Sequence, residues 1–339
     1  MKIRVGVVGL GPAWEKRYRP ALRALSDRFE VRAVCEPVAQ RAAQAAREFN
    51  ATRVDGYRAL AAREDVDAVL ALSRQWFGSL PITAACDAGK AVYCTDGLEL
   101  HMDQAVKLKE HIQNSGVAFM AEFPRRHAPA TLRLKELIAT RLGLPKMLFC
   151  HLRVPADKPN QAHQDEYPND SALLNLVELI DWCRYVVDRE PTSVSGLEHT
   201  STIGGLTGDY HMLSLEFQRS VDSGEAAIAQ ISVGRYVPAS WPEAVSFRPP
   251  AHLQVTCEGG VAFVDLPSSL IWFDKAGRHM ESLESERPVG ETLLSQFHRS
   301  VTSLVRKTNN LEDAYQALAI ALAAQRSHEE GRRIDLDFS

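Results

Sequence analysis

No stretch of the 339-residue chain reaches the ~18 consecutive apolar residues a membrane helix needs, so no spanning segment is expected. Cysteine is sparse. Six thiols, at 35, 86, 94, 150, 183 and 257, lack the pairwise spacing of a metal site or a disulfide framework. That scatter points to reduced thiols in a cytoplasmic protein. Neither sign of charge dominates: 39 Lys and Arg against 43 Asp and Glu leave a formal net charge of −4. Such a balance argues against a protein built to grip nucleic acid or an anionic membrane. Repeats and low-complexity tracts are absent. Lys2 and Arg4 precede an apolar run, but Gly6, Gly9 and Gly11 interrupt it and no small-residue cleavage site follows, which speaks against a secretion signal.

What is present is ordinary globular composition, 45% apolar and 24% charged, over a length that exceeds one core and predicts two domains. In the first third, short apolar runs (3–8, 31–35, 68–72, 91–94 and 117–121) alternate with amphipathic stretches (21–25, 39–49, 80–88 and 102–113). That order predicts a doubly wound parallel sheet, a Rossmann domain. Beyond Glu122 the texture changes. A helix near 130–141, a strand at 147–154 and a helix at 172–187 precede six strand-like runs between 193 and 273, an open and mostly antiparallel sheet. Two helices, at 292–305 and 311–328, end the pattern. The expected division is 1–123 and 124–339.

Three features carry chemistry. Gly9 permits a tight turn after the first strand, and Gly11 lets a pyrophosphate approach the backbone. Trp14 stands where the fingerprint has its third small residue, and its indole either impedes helix–strand packing or lies across the site. Glu36 closes the second strand, where an acid bonds the ribose 2′-hydroxyl and repels a 2′-phosphate, favouring NAD over NADP.

With these in place, the chain resembles the glucose–fructose oxidoreductase/inositol dehydrogenase/MocA family over nearly its whole length. The markers are the glycine turn with Arg19-Pro20-Ala21-Leu22, Cys35-Glu36-Pro37, Asp65-Val66-Asp67-Ala68-Val69 and Ala88-Gly89-Lys90-Ala91-Val92. Further on come Glu122-Phe123-Pro124-Arg125-Arg126, the segment from Ala172 to Asp181, and Glu330-Gly331-Arg332. The resemblance implies NAD(P)-dependent oxidation or reduction of sugars, polyols or related small molecules. It also implies an open C-terminal sheet that joins homodimers or homotetramers. It places the nicotinamide beside the loop Ser73-Arg74-Gln75-Trp76-Phe77-Gly78.

The departures bear on mechanism. Where the family carries Glu-Lys-Pro, this chain has Thr95-Asp96-Gly97. Where the family tends to carry Asp and His on the helix, Asn175 and Glu178 stand; Asp181 is kept. A lysine ~4 Å from a developing alkoxide favours it by ~4 kcal/mol at an effective dielectric near 20, and an aspartate opposes it by a similar amount. The expectation is therefore a rebuilt acid/base set of Asp96, Glu178 and Asp181, in which one carboxyl of an opposed pair donates while its partner accepts. Ser73 and Arg74 are expected near the cofactor, and Arg126, Asn175 and Arg235 near the substrate. Tyr236 and Trp241 are candidates for an aromatic wall. A metal held by Glu178 and Asp181 with His151, His163, Asp165 or Glu166 is the weaker alternative, and no metal is expected. The competing function is a non-catalytic cofactor- or sugar-binding regulator or scaffold. His101 reads as a helix cap, Cys94 as an inert buried thiol, and Lys16, Arg17, Arg19 and Arg23 as either a phosphate-attracting cluster or a solvated face.

Overall fold

A computed structural model describes residues 1–95, 98–156, 168–203, 206–221, 224–247, 250–283, 287–303 and 308–338. Asp96, Gly97, His163, Asp165 and Glu166 lie outside these. The chain forms two compact units: Met1–Pro124 with Glu286–Tyr315, and Arg125–Ser285 with Gln316–Ser339. The return of a later segment to the first unit is a feature that the expected single division at residue 123 does not contain.

In the first unit, strands β1 (Ile3–Val8), β2 (Phe29–Cys35), β3 (Thr52–Arg53), β4 (Ala68–Ala71), β5 (Ala91–Cys94) and β6 (Phe119–Ala121) form a parallel sheet. Their order is β6-β5-β4-β1-β2-β3, and a two-residue strand (Thr308–Asn309) extends it beside β6. Both faces are buried, and the period of two sorts the side chains. Ile3, Val5, Val7, Leu70 and Tyr93 pack in one core, while Val8, Val69, Ala71, Val92 and Cys94 pack in the other. Helices α1 (Arg19–Ala24), α2 (Ala39–Phe49), α3 (Tyr57–Ala61), α4 (Leu80–Asp87) and α5 (Met102–Ser115) are the crossovers. The returning helix Val289–Thr302 buries Leu293, Leu294 and Phe297 in the first of these cores.

The second unit opens with α6 (Pro129–Leu137), β7 (Pro145–Ala156) and α7 (Pro168–Val187). Three long strands follow: β8 (Pro191–Ile203), β9 (Leu206–Arg219) and β10 (Ala226–Pro238). After the short α8 (Pro242–Ser246) come β11 (Leu253–Cys257), β12 (Gly260–Asp265), β13 (Ser269–Asp274) and β14 (Gly277–Ser282). The sheet order is β14-β13-β12-β11-β7-β10-β9-β8, and Ile334–Asp335 adds an edge beside β8. Among the described residues of this sheet, β7 and β10 pair parallel and the other neighbours antiparallel. One face buries Leu148, Cys150, Leu213, Leu215, Ala229 and Ile231, and α7 packs against β7 and β10. The other face exposes Met147, Phe149, Leu197, Ile228, Phe273 and Met280.

Candidate functional site

The strand order of the first sheet reverses direction between β1 and β4, and ligands of such sheets bind at that switch point, beyond the carboxyl ends of the strands. The glycine turn sits there. Gly9 has φ +74°, the left-handed region that disfavours any Cβ. At Gly11 a Cβ would stand 2.6 Å from the Leu72 carbonyl oxygen and 3.0 Å from Ser73 Cβ, so the turn after β1 lies directly on the chain leaving β4. Behind the turn, Glu36 is buried. Its Oε2 accepts the Leu10 N–H at 2.7 Å and its Oε1 accepts the Val38 N–H at 3.2 Å. Among the described residues the N–H groups of Gly11 and Ala13 find no acceptor. Two unspent backbone donors on a turn kept open by Gly9 and Gly11 fit a pyrophosphate. Arg41 Nη1 lies 3.8 Å from Glu36 Oε1 and is well exposed, a cation that sequence spacing alone did not place there.

Trp14 opens a π-helical turn, Trp14–Tyr18, and is only 3% exposed. Its ring meets Phe49 edge-on at 5.8 Å within the core, so the indole is absorbed by packing of α2 against the sheet. Across the turn, Ser73 Oγ accepts the Gln75 N–H at 3.2 Å. Arg74 Nη2 donates to Glu99 at 2.9 Å, and the same carboxylate takes the Ser79 hydroxyl. Arg74 Nη1 has no acceptor among the described residues. Thr95 is buried with its N–H on the Ala71 carbonyl at 3.1 Å. The three arginines of the basic cluster bind neighbouring carboxylates: Arg17 to Glu122, Arg19 to Glu15 and Glu48, Arg23 to Glu48. His101 precedes α5 without a side-chain capping bond, and Cys94 is buried.

In the second unit, the carboxylates singled out on α7 meet arginines. Glu178 Oε1 is 3.2 Å from Arg125 Nε. Asp181, 1% exposed, receives Arg126 through two nitrogens, Nε at 2.8 Å and Nη2, a bidentate pair. Arg184 lies 4.0 Å from Asp181 and binds Glu190 and Gln316. Asn175 is half-buried one turn before Glu178. Arg126 is thus held by Asp181, with Tyr185 5.2 Å from its guanidinium carbon. Among the described residues no group of three His, Cys, Asp or Glu is arranged to hold a metal.

Arg235 belongs to a cluster that sequence reading did not assemble. It binds Asp209 through Nε at 3.0 Å and through Nη2. His211 lies between Asp209, at 3.9 Å, and Glu198, at 3.4 Å. The alternation along β9 puts Asp209 and His211 on the face of Leu213 and Leu215, a legible hint of buried charge at the end of an apolar ladder. Asp209 and Glu198 push the imidazole up to about 9. Burial works against the Asp209 charge, but His211 and Arg235 outweigh it and hold that carboxyl below its usual range. His211 is raised above its unfolded value near 6.5, so its contribution is complete below that pH and is lost as pH rises through about 9. We expect the melting transition of the second unit to lose on the order of 2 kcal/mol between pH 6.5 and 9.5. Calorimetry should find that slope flattened in His211→Gln. Tyr236 packs on Tyr210, with centroids 6.2 Å apart, and Trp241 is exposed just before α8.

Residues 3–123 match the model of an oxidoreductase family with an NAD-binding Rossmann fold, GFO/IDH/MocA. Inositol 2-dehydrogenase 3 of Saccharopolyspora erythraea is 31% identical over 195 residues, which cover 57% of this chain and 56% of that one. Inositol 2-dehydrogenase of Rhodococcus erythropolis is 26% identical over 309 residues, covering 84% and 81%. The match to the first relative therefore spans little more than half its length. An oxidoreductase from Thermotoga maritima of solved structure shares the fold with a TM-score of 0.81 at 20% identity, over 99% of this chain and 98% of that one. No described helix is long and apolar enough to cross a membrane. The Rossmann part of the chain, residues 3–123, thus matches the Gfo/Idh/MocA family of oxidoreductases.

Proposed function

We propose that the protein is a cytoplasmic NAD-dependent oxidoreductase acting on a small polyol, sugar or related carbohydrate-derived substrate, with a non-standard acid/base set. The observation that carries this reading is the glycine turn: Gly9 and Gly11 bare of side chains, Glu36 buried behind them, and two backbone donors unspent. A bound nicotinamide dinucleotide supplies the hydride acceptor or donor. The protein holds its pyrophosphate on the Gly11 and Ala13 N–H groups and its adenosine ribose beside Glu36. Ser73 and Arg74 serve the same edge. Asp96 and Glu178 carry proton transfer to and from the substrate hydroxyl. Asp181 fixes Arg126, which with Asn175 and Arg235 binds substrate oxygens. The inositol 2-dehydrogenase relatives support a cyclic polyol as the first substrate to try.

The test is NADH formation on a panel of cyclitols and sugars. Once a substrate is found, Glu178→Gln and Asp96→Asn should each lower kcat about 100-fold or more while NADH affinity stays within about threefold. Full turnover in both variants removes the carboxylate mechanism.

Cofactor choice follows from two opposed charges. Glu36 repels a 2′-phosphate, and Arg41, 3.8 Å away, offsets part of that repulsion. NADH is therefore expected to bind only about tenfold more tightly than NADPH, ~1.4 kcal/mol, and Arg41→Ala to widen the gap. Calorimetric titration with both nucleotides checks this, and tighter NADPH binding contradicts it. The exposed sheet face bearing Met147, Phe149 and Ile228 is proposed to join two or four copies, which light scattering tests.

The second reading, a non-catalytic binding protein, is favoured by the α7 carboxylates: Glu178 and Asp181 are both paired with arginines. It predicts nucleotide binding with no substrate-dependent NADH signal anywhere on the panel.

A further inference from the structure

Glu122 directly follows β6 with its side chain only 4% exposed, a carboxylate placed where the first sheet has just buried Phe119, Met120 and Ala121. Burying a charge there is costly unless every lone pair is met. Donors among the described residues meet it. Arg17 Nη1 binds Oε1, the Tyr18 hydroxyl donates to Oε2, and the Tyr93 hydroxyl donates to the same oxygen at 2.5 Å. Burial pushes both phenols well above their ordinary value, so they remain donors across the working pH range. The Glu122 N–H bonds the Cys94 carbonyl at 3.0 Å, fixing the backbone as well.

The partners come from two places. Arg17 and Tyr18 lie in the π-helical turn that follows the glycine turn of β1. Tyr93 lies on β5, two residues before Thr95. In a sheet of this order the dinucleotide spans two halves, one over β1 to β3 and one over β4 to β6. One carboxylate therefore fastens the turn of the first half to the strand end of the second.

We propose that Glu122 is a positioning residue that sets the glycine turn and the β5 end in fixed register, so that both halves of a bound dinucleotide are gripped at once. The inference rests on the dinucleotide reading for its functional half. Glutamine at 122 cannot reproduce the arrangement. If its carbonyl accepts the two phenols, its amide faces the Arg17 guanidinium, donor against donor; reversed, the amide faces both hydroxyls.

The experiment compares the full-length wild type, Glu122→Gln and Tyr93→Phe. Hydrogen exchange without nucleotide should rise about tenfold together in peptides covering residues 9–18 and 91–95, with β2, α2 and the second unit within about twofold. Titration should weaken NADH about tenfold while ADP-ribose, which lacks the nicotinamide, stays within about threefold. Tyr93→Phe keeps the ring packed and should give the same pattern in smaller measure, so it decides the matter if Glu122→Gln does not fold. Loosening of only one of the two segments, or equal weakening of NADH and ADP-ribose, overturns the proposal. If the wild type binds neither nucleotide, the dinucleotide reading fails, and the paired exchange response still decides whether Glu122 couples the segments.

Discussion

Asp181→Ala should cost the second unit about 3–5 kcal/mol, because it leaves two buried guanidinium groups without their shared carboxylate. Arg126 is 12% exposed and loses its bidentate pair with Asp181. Arg184 is 3% exposed and keeps Glu190 and Gln316. The loss therefore falls chiefly on Arg126, which must swing to water or stay largely buried without this carboxylate. Against a total stability of about 5–15 kcal/mol, this is a large fraction. The melting transition should fall by about 10 °C or more, with the first unit's transition left in place if the two are resolved. Asp181→Asn keeps the volume and one acceptor and should cost roughly half as much. Thermal unfolding of the two variants checks this. A change under about 1 kcal/mol for Asp181→Ala would mean that the ion pair is not what holds α7 and the Arg126 segment together.

Gly11→Ala carries the other large effect. A methyl there meets the Leu72 carbonyl oxygen at 2.6 Å, a backbone atom that cannot rotate away, so the turn must lift off the end of β4. Strain of this kind costs about 1–3 kcal/mol in stability. The effect on binding is greater, because lifting the turn misdirects the Gly11 and Ala13 N–H groups together. NADH affinity should fall about 100-fold or more, with the circular dichroism spectrum unchanged. Gly6→Ala is the contrasting control. Its closest neighbour is Leu60 Cδ2 at 2.4 Å, the end of a flexible side chain, and it lies away from the turn. It should disturb packing while leaving nucleotide affinity within about threefold.

The inner parallel strands were legible because both sheet faces are buried, so β4 and β5 are apolar throughout and β1 is so but for Arg4, whereas the exposed two-residue β3 gave no such run. The strand β14, Gly277-Arg278-His279-Met280-Glu281-Ser282, was not. It is an exposed edge without an apolar alternation, and what makes it a strand is its pairing with β13. The amphipathic pattern of the helix Val289–Thr302 announces a buried stripe but not which sheet receives it, so its return to the first core was invisible.

At the site, Gly9, Gly11 and Glu36 were legible by spacing, since the turn geometry dictates residue type locally. The direction of Trp14 was not, because Phe49 and the surrounding core decide it. Partners far apart in sequence escaped for the same reason. Arg17 with Glu122, Arg126 with Asp181, and Asp209 with Arg235 are chosen by the fold and leave no local pattern. Local signals existed for the buried charges but not for their partners: Asp209 and His211 at the end of the apolar alternation of β9, and a carboxylate closing the apolar run Phe119-Met120-Ala121-Glu122.

The central claim is that the turn at Gly9–Gly11 holds a nicotinamide dinucleotide. The most direct measurement is a titration of the wild type and Gly11→Ala with NADH, following nicotinamide fluorescence and energy transfer from tryptophan. The account predicts saturable micromolar binding to the wild type and its loss in Gly11→Ala. No binding to the wild type, or equal binding to both proteins, would contradict it.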